Sequence, residues 1–284
     1  MSLMLRLLSV SLVSALALSA AKTTDKDVEK FVKRGLSSNP QIKVYNAKVL
    51  DKKEMEKPQG WTAYVVQFDI GIKRGNKEQN ITDRDIIFVN ERYVAPDLVD
   101  IKTNTSLKQR VVLDFKDRFY DDKHLLYGHK NAKHKIVVFS DPLCPFCREV
   151  VPELIELTKK YPDTFVLYYY HLPIQTLHPA SVALAKAIIY LKEHGNKEAI
   201  EKIYKTEFDY AQKDEKKTLQ ELDKKLGIKL TPQQINSPEV ITELQHDADI
   251  ARELMIKGTP TVFIDNKYDP RREKYKKFIP KKSK

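Results

Sequence analysis

The chain has 284 residues, 42% hydrophobic and 31% charged, with no low-complexity run, which places it as an ordinary globular protein of one or two domains. Its 50 Lys and Arg against 39 Asp and Glu give a net charge of +11, but the basic residues are spread along the chain and no nucleic-acid module occurs, so no nucleic-acid partner is expected. Only 2 cysteines are present, and they stand three positions apart.

Residues 1–21 carry one positive charge, Arg6, an apolar run from Leu7 to Leu18, and the small residues Ser19, Ala20 and Ala21. This pattern predicts a cleavable secretory signal peptide and export to an oxidising compartment. An uncleaved anchor is the other reading, although the run is short for a membrane span.

A first helix is predicted over Lys22 to Asn39, capped by Thr24 with Asp27, with Val28, Phe31, Val32 and Leu36 as its buried stripe and Pro40 as its stop. Strands are predicted over Ile42–Leu50, Trp61–Ile72 and Ile81–Val89, with a turn at Lys73–Asn80. On the second strand Thr62, Tyr64, Val66, Phe68, Ile70 and Ile72 share a face. Residues 22–104 thus read as a small α+β domain with a long sheet edge, which pairing with a second copy would hide. A monomer in which this domain packs within its own chain stays open. Over 105–132, Val111, Val112, Phe115 and Phe119 give partial helical periodicity, read as a linker helix.

The third segment, 133–284, opens with Lys135–Phe139, an apolar β-branched run that reads as a buried strand. From Arg148 to Tyr161 a helix follows, with Cys147, Val150, Val151, Leu154, Ile155 and Thr158 on one face. Cys144 therefore falls at a helix start, where free backbone N–H groups and the macrodipole stabilise an anion and acidify the thiol. Pro145 suits the first helical turn, because its missing N–H had no partner there. Cys147, one turn inward, should be less exposed. The roles that follow are attack by Cys144 on a substrate sulfur and resolution by Cys147. A zinc site completed by His129, His134, His171 or His178 is an alternative, as is a structural disulfide, although so short a loop constrains the unfolded chain little. Redox chemistry is the reading favoured, with no metal and no cofactor.

Phe165–His171 reads as a second central strand, stopped by Pro173. A helical block follows over about 174–256, with stripes Ala180/Ala183/Leu184/Ala187/Ile188/Leu191, Ala199/Ile200/Ile203/Tyr204/Phe208, Leu219/Leu222/Leu226 and Val240/Ile241/Leu244/Ala248/Ala251/Met255. Ser237 and Pro238 are read as the cap of its last helix. His171 and His178 are read as a strand-end and a loop histidine outside the site. Residues 271–284 carry 8 Lys and Arg against one Glu, read as a solvated surface.

Phe139-Ser-Asp-Pro-Leu-Cys-Pro-Phe-Cys147, together with Lys257-Gly-Thr-Pro-Thr-Val-Phe-Ile-Asp265, resembles the periplasmic Dsb family of the thioredoxin fold. The resemblance implies that Pro260 is the family's cis-proline, that Thr259 and Pro260 offer backbone to an extended substrate peptide, and that the helical block is an insertion in the fold. Asp141 and Thr259 match the dimeric DsbC and DsbG branch more closely than DsbA. Val138 stands where thioredoxin and DsbA carry a buried acid, so a proton acceptor for Cys147 is missing at that position. Phe146, standing where DsbA has His, cannot donate to sulfur, which implies a less acidified Cys144 and a potential less oxidising than the roughly −120 mV of DsbA. Asp141, Pro145 and Phe146 are thus expected to tune the site.

The fold expected is an α+β, cystatin-like dimerisation domain joined by the linker helix to a thioredoxin-fold α/β domain. The function expected is a periplasmic thiol:disulfide isomerase or reductase acting on unfolded or partly folded exported proteins. Its expected partners are a second copy of the chain and a membrane redox protein, a DsbD-like donor or a DsbB-like acceptor. Alternatives are a dimeric dithiol oxidase and a holdase chaperone.

Overall fold

A computed structural model describes residues 23–74 and 77–280, so the expected signal peptide lies outside the described residues. The chain divides into two units, Met1–Lys108 and Gln109–Lys284. Among the described residues no helix is long and apolar enough to cross a membrane.

In the first unit, helix α1 (Asp25–Ser37) starts at a capping box in which the Thr24 side chain accepts from the Asp27 N–H and the Asp27 carboxylate accepts from the Thr24 N–H. Strands β1 (Ile42–Glu54), β2 (Thr62–Arg74), β3 (Lys77–Asn90) and β4 (Tyr93–Ala95) form an antiparallel sheet in that order. Val28, Tyr64, Val66, Ile87 and Val89 form its buried cluster. Phe31, expected inside, is 44% exposed, because Val28 and Val32 one turn apart already fill the line that meets this cluster. The turn expected at Lys73–Asn80 is narrower, since β2 and β3 stay paired as far as Arg74 and Lys77. Residues 75 and 76 lie outside the described residues. Two short strands, β5 (Val99–Asp100) and β6 (Thr105–Ser106), pair with each other.

The linker helix expected over 105–132 does not form. After β6 the chain makes two short 3-10 turns, Leu107–Arg110 and Asp117–Phe119, and a strand β7 (Leu125–Tyr127). Val111, Val112, Leu113, Phe115 and Phe119 are all buried, a run no single helix face can bury. The backbone instead bonds across the second unit, Leu113 N–H to the Leu254 carbonyl at 3.0 Å and Phe115 N–H to that of Asn266 at 2.8 Å. The Phe115 ring packs edge-on to Phe139 and Tyr170 and tilted against Phe263.

The second unit is a five-stranded sheet in which β8 (His134–Ser140) and β9 (Phe165–His171) lie parallel at the centre, joined by α2 (Pro145–Lys160). Helices α3 (Ser181–Glu193), α4 (Glu198–Lys205), α5 (Glu215–Leu226), α6 (Pro232–Ile235) and α7 (Pro238–Glu253) intervene before β10 (Thr261–Ile264), antiparallel to β8, and β11 (Lys267–Tyr268). Both central strands are buried on both faces, which is why their sequences read as continuous apolar runs. The stripes read on α3 and α4 are buried. The α7 stripe is buried only in part: Val240 and Ala251 are inside and Ile241 is exposed, while Glu243, Asp247 and Ile250 complete the buried face. Two acids can occupy it because Lys192 donates to Glu243 at 2.7 Å and the His124 ring bonds Asp247 at 2.6 Å. Pro238 takes the first helical position, but the Ser237 side chain makes no capping bond. The basic tail is also partly packed: Tyr275 is buried and its hydroxyl donates to Glu153 at 2.7 Å.

His124 ties the chain before β7 to α7. Its Nδ1 meets Asp121 at 2.7 Å, its ring stacks on Tyr170, and the second oxygen of Asp247 accepts from the His171 N–H at 2.7 Å. Burial alone would push the His124 pKa down, but the hydrogen bonds to Asp121 and Asp247 and their charges raise it to about 9. Asp247, in spite of burial, is held at about 2 by His124 and His246. A raised histidine contributes stability that is fully present below its unfolded pKa of about 6.5 and lost as pH rises through about 9. Urea unfolding of the protein with Cys144 and Cys147 oxidised, so that the Cys144 thiolate does not contribute, should therefore show a loss on the order of 3 kcal/mol between about pH 6.5 and pH 9. In Asp247→Asn that slope should largely vanish.

Candidate active site

Strand β8 ends at Ser140, and the chain turns through Asp141, Pro142 and Leu143 into α2. One Asp141 oxygen accepts from the Leu143 N–H at 2.8 Å, the local turn that side chains of this type favour. The other accepts from the Ile174 N–H at 2.7 Å and bonds His178 Nδ1 at 3.1 Å, so the wholly buried carboxylate ties the active-site turn to the segment after β9. His178, left outside the site by the sequence, is thus the second neighbour of this turn.

Cys144 is the residue immediately before the helix, its carbonyl accepts the first helical bond from the Arg148 N–H at 3.0 Å, and Pro145 is at the first helical position. Cys147 is wholly buried, Cys144 only 7% exposed, and Phe146 between them 59% exposed under the Arg272 guanidinium. Across from the dithiol, β10 pairs with β8 so that Thr261 lies opposite Phe139, which brings Thr259 and Pro260 to the thiols. The Thr259–Pro260 peptide bond is cis. The Cys144 thiol donates to the Thr259 carbonyl at 3.4 Å.

The two thiols are driven apart electrostatically. The Cys147 thiol, donating to Cys144, does most to lower the Cys144 pKa; burial opposes it, and the Cys147 N–H, the Thr259 side chain and the Phe146 N–H add to it, giving about 5. Burial, then the hydrogen bond and charge of Cys144, push the Cys147 thiol far up, while the Ser140 hydroxyl and a backbone bond at Asp141 work the other way. The site therefore holds a nucleophilic thiolate at the mouth and a protonated thiol behind it.

Cys144, Cys147, Asp141, Pro145, Phe146, Thr259 and Pro260 all meet in this one place. Sequence reading missed Ser140, whose hydroxyl lowers the Cys147 pKa, and Tyr204, whose hydroxyl donates to Ser140 at 2.7 Å; Ser140 stood inside the motif, while Tyr204 read as core. Among the described residues the group of three or more His, Cys, Asp or Glu side chains close enough to hold a metal is His124, His246 and Asp247, which contains neither cysteine.

A family model described as thioredoxin matches residues 121–281, more than half of the chain. Among solved structures, the chain is similar to a thioredoxin-like oxidoreductase from Silicibacter pomeroyi DSS-3, 24% identical with a TM-score of 0.44 over 53% of this chain and 84% of that one. It is also similar to the catalytic domain of Proteus mirabilis ScsC, 24% identical with a TM-score of 0.44 over 57% of this chain and 91% of that one. Oxidised BdbD from Bacillus subtilis is 16% identical with a TM-score of 0.46, over 58% of this chain and 92% of that one. No curated protein matches.

Proposed function

Because the chain belongs to the thioredoxin family, we propose that it is a thiol:disulfide oxidoreductase that exchanges disulfides with protein substrates through Cys144 and Cys147. The observation that carries this reading is the division of labour between the thiols: Cys144 acidified to about 5 at a helix start beside the Thr259 carbonyl, and Cys147 buried and protonated behind it. As a reductant, the Cys144 thiolate attacks a substrate disulfide, forming a Cys144–substrate bond and releasing one substrate thiol. Cys147 then attacks Cys144, forming the Cys144–Cys147 bond and releasing the second substrate sulfur. The two protein sulfurs are oxidised and the substrate disulfide is reduced; the first substrate sulfur leaves as a thiolate and takes its proton from solvent, and the Cys147 proton leaves with the second. Thr259 and Pro260 present backbone to the substrate chain.

Isomerase or reductase work on unfolded or partly folded exported proteins in the periplasm, with a membrane electron donor, is the direction proposed. The acidified Cys144 supports a second direction, dithiol oxidase, because stabilising the thiolate stabilises the reduced form and makes the disulfide more oxidising. Acid quench and thiol alkylation of the full chain in its own cells separates them. A mostly reduced pair is expected for the isomerase or reductase, and a mostly oxidised pair transfers the assignment to the oxidase. A homodimer through the first unit, where β1 is a long edge strand, belongs to the same proposal; sedimentation of the purified chain as a single copy would remove it.

A further inference from the structure

Cys147 is wholly buried, and Val138, on the same face of β8 as Ser140 and also wholly buried, offers it no acid. Ionising it during resolution still needs a donor or an acceptor, since an uncompensated buried charge is costly. The Ser140 hydroxyl interacts with the Cys147 thiol and heads a row of hydroxyls drawn from three elements. Ser140 ends β8, Tyr204 comes from α4 and Tyr169 from β9, and all three are wholly buried. The Tyr204 hydroxyl donates to Ser140 Oγ at 2.7 Å, and the Tyr169 and Tyr204 hydroxyls meet at 2.6 Å. With its oxygen accepting from Tyr204, Ser140 has its own proton free for the Cys147 sulfur. Tyr204 is itself fixed, because Arg148, one residue past Cys147, donates from Nε to its backbone carbonyl at 3.1 Å.

We propose that Ser140, backed by Tyr204 and Tyr169, is the positioning group for the resolving thiol, a neutral hydroxyl chain that stabilises the Cys147 thiolate in place of a buried acid. This rests on the exchange function proposed above. Titratable and charged groups around the thiol are Cys144, Asp141, Arg148, His171, Tyr169 and Tyr204. None of the last three supplies a base. Burial pushes both phenols far up, so they stay protonated donors. Burial pushes His171 down to about 3, and its ring nitrogens have no hydrogen-bond partner among the described residues. The timing also fits. Once Cys144 is tied up in a mixed disulfide, its thiolate no longer opposes ionisation of Cys147, and the hydroxyl row has only burial to offset. The hydroxyls already direct their protons toward the sulfur, and the bonds reinforce one another as its charge grows. The Cys147 proton leaves on the departing substrate thiol.

The test is stopped-flow reaction of the full, reduced chain with dithiobis(nitrobenzoate). Attack by Cys144 releases the first coloured thiolate, and attack by Cys147 on the resulting mixed disulfide releases the second, its proton passing to buffer. Ser140→Val and Ser140→Thr have the same shape and differ by the hydroxyl. In Ser140→Val the ratio of second to first rate should fall about tenfold or more, the worth of one hydrogen bond to a charged group, and the pH profile of the second release should move to higher pH. Ser140→Thr should restore both. Tyr204→Phe, which removes one oxygen and keeps the ring, should slow the second release several-fold, and it carries the test should Ser140→Val fail to fold. Equal behaviour of the Thr and Val variants, or a second release unmoved by Tyr204→Phe, overturns the proposal. A wild-type chain that gives no first release overturns the exchange function itself, and this inference with it.

Discussion

Cys144→Ala is expected to bring disulfide exchange down to the uncatalysed rate, while Cys147→Ala should accumulate protein joined to its substrates. The asymmetry follows from the site. Cys144 is held at about 5 by its neighbours and is the sulfur beside the Thr259 carbonyl, where a substrate chain would lie. Cys147 has no exposure to solvent and can reach only Cys144. Without Cys147 the mixed disulfide has to wait for an outside thiol, and losing the intramolecular attack should prolong its lifetime by many orders of magnitude at millimolar thiol. Non-reducing gels of cell extracts, with the reduced lanes as control, read this directly. Full exchange activity in Cys144→Ala would falsify the assignment.

Alkylation of Cys144 is expected to be nearly flat above about pH 6 and to fall about tenfold per unit below about pH 5, since only the thiolate reacts. The chief cause of the lowered value is the Cys147 thiol, so in Cys147→Ala the midpoint should rise toward the ordinary value of about 8.5. For a depressed thiol, the stability it contributes to the reduced fold is fully present above the unfolded pKa of about 8.5 and is lost as pH falls through about 5. The oxidised protein has no such group. Denaturant unfolding of the reduced and oxidised forms side by side should therefore show the reduced form losing ground as pH falls across that window. A midpoint near 8.5 in the wild-type chain would mean that the thiol pair is not arranged as described.

The parts of this molecule legible from its sequence are those fixed by neighbours in the chain. Cys144 at the helix start with Pro145 in the first turn, the capping box at Thr24, and the buried runs of β8 and β9 each depend on a few consecutive residues. The α3 and α4 stripes were legible because an apolar face repeats every turn and has to be covered. The same reasoning failed over 105–132. There the apolar residues are too closely spaced for one helix face, and the backbone finds its partners at Leu254 and Asn266, far along the chain.

Periodicity also misread α7, because it counts apolar residues and cannot see that Glu243 and Asp247 have buried partners in Lys192 and His124. What the sequence by itself determined is where the dithiol sits, which thiol faces outward, and that a strand and a helix hold them, since these follow from local spacing and the open N–H groups of a helix end. What only the tertiary structure decided is how far each thiol is shifted and what supports it: the Thr259 side chain at Cys144, the tie from Asp141 to His178, and the row Ser140–Tyr204–Tyr169 leading to Cys147. A thiol's proton affinity depends on burial and on donors within hydrogen-bond reach. Here most of those donors come from elements dozens of residues apart, and only the folded packing of sheet and helices places them within that reach.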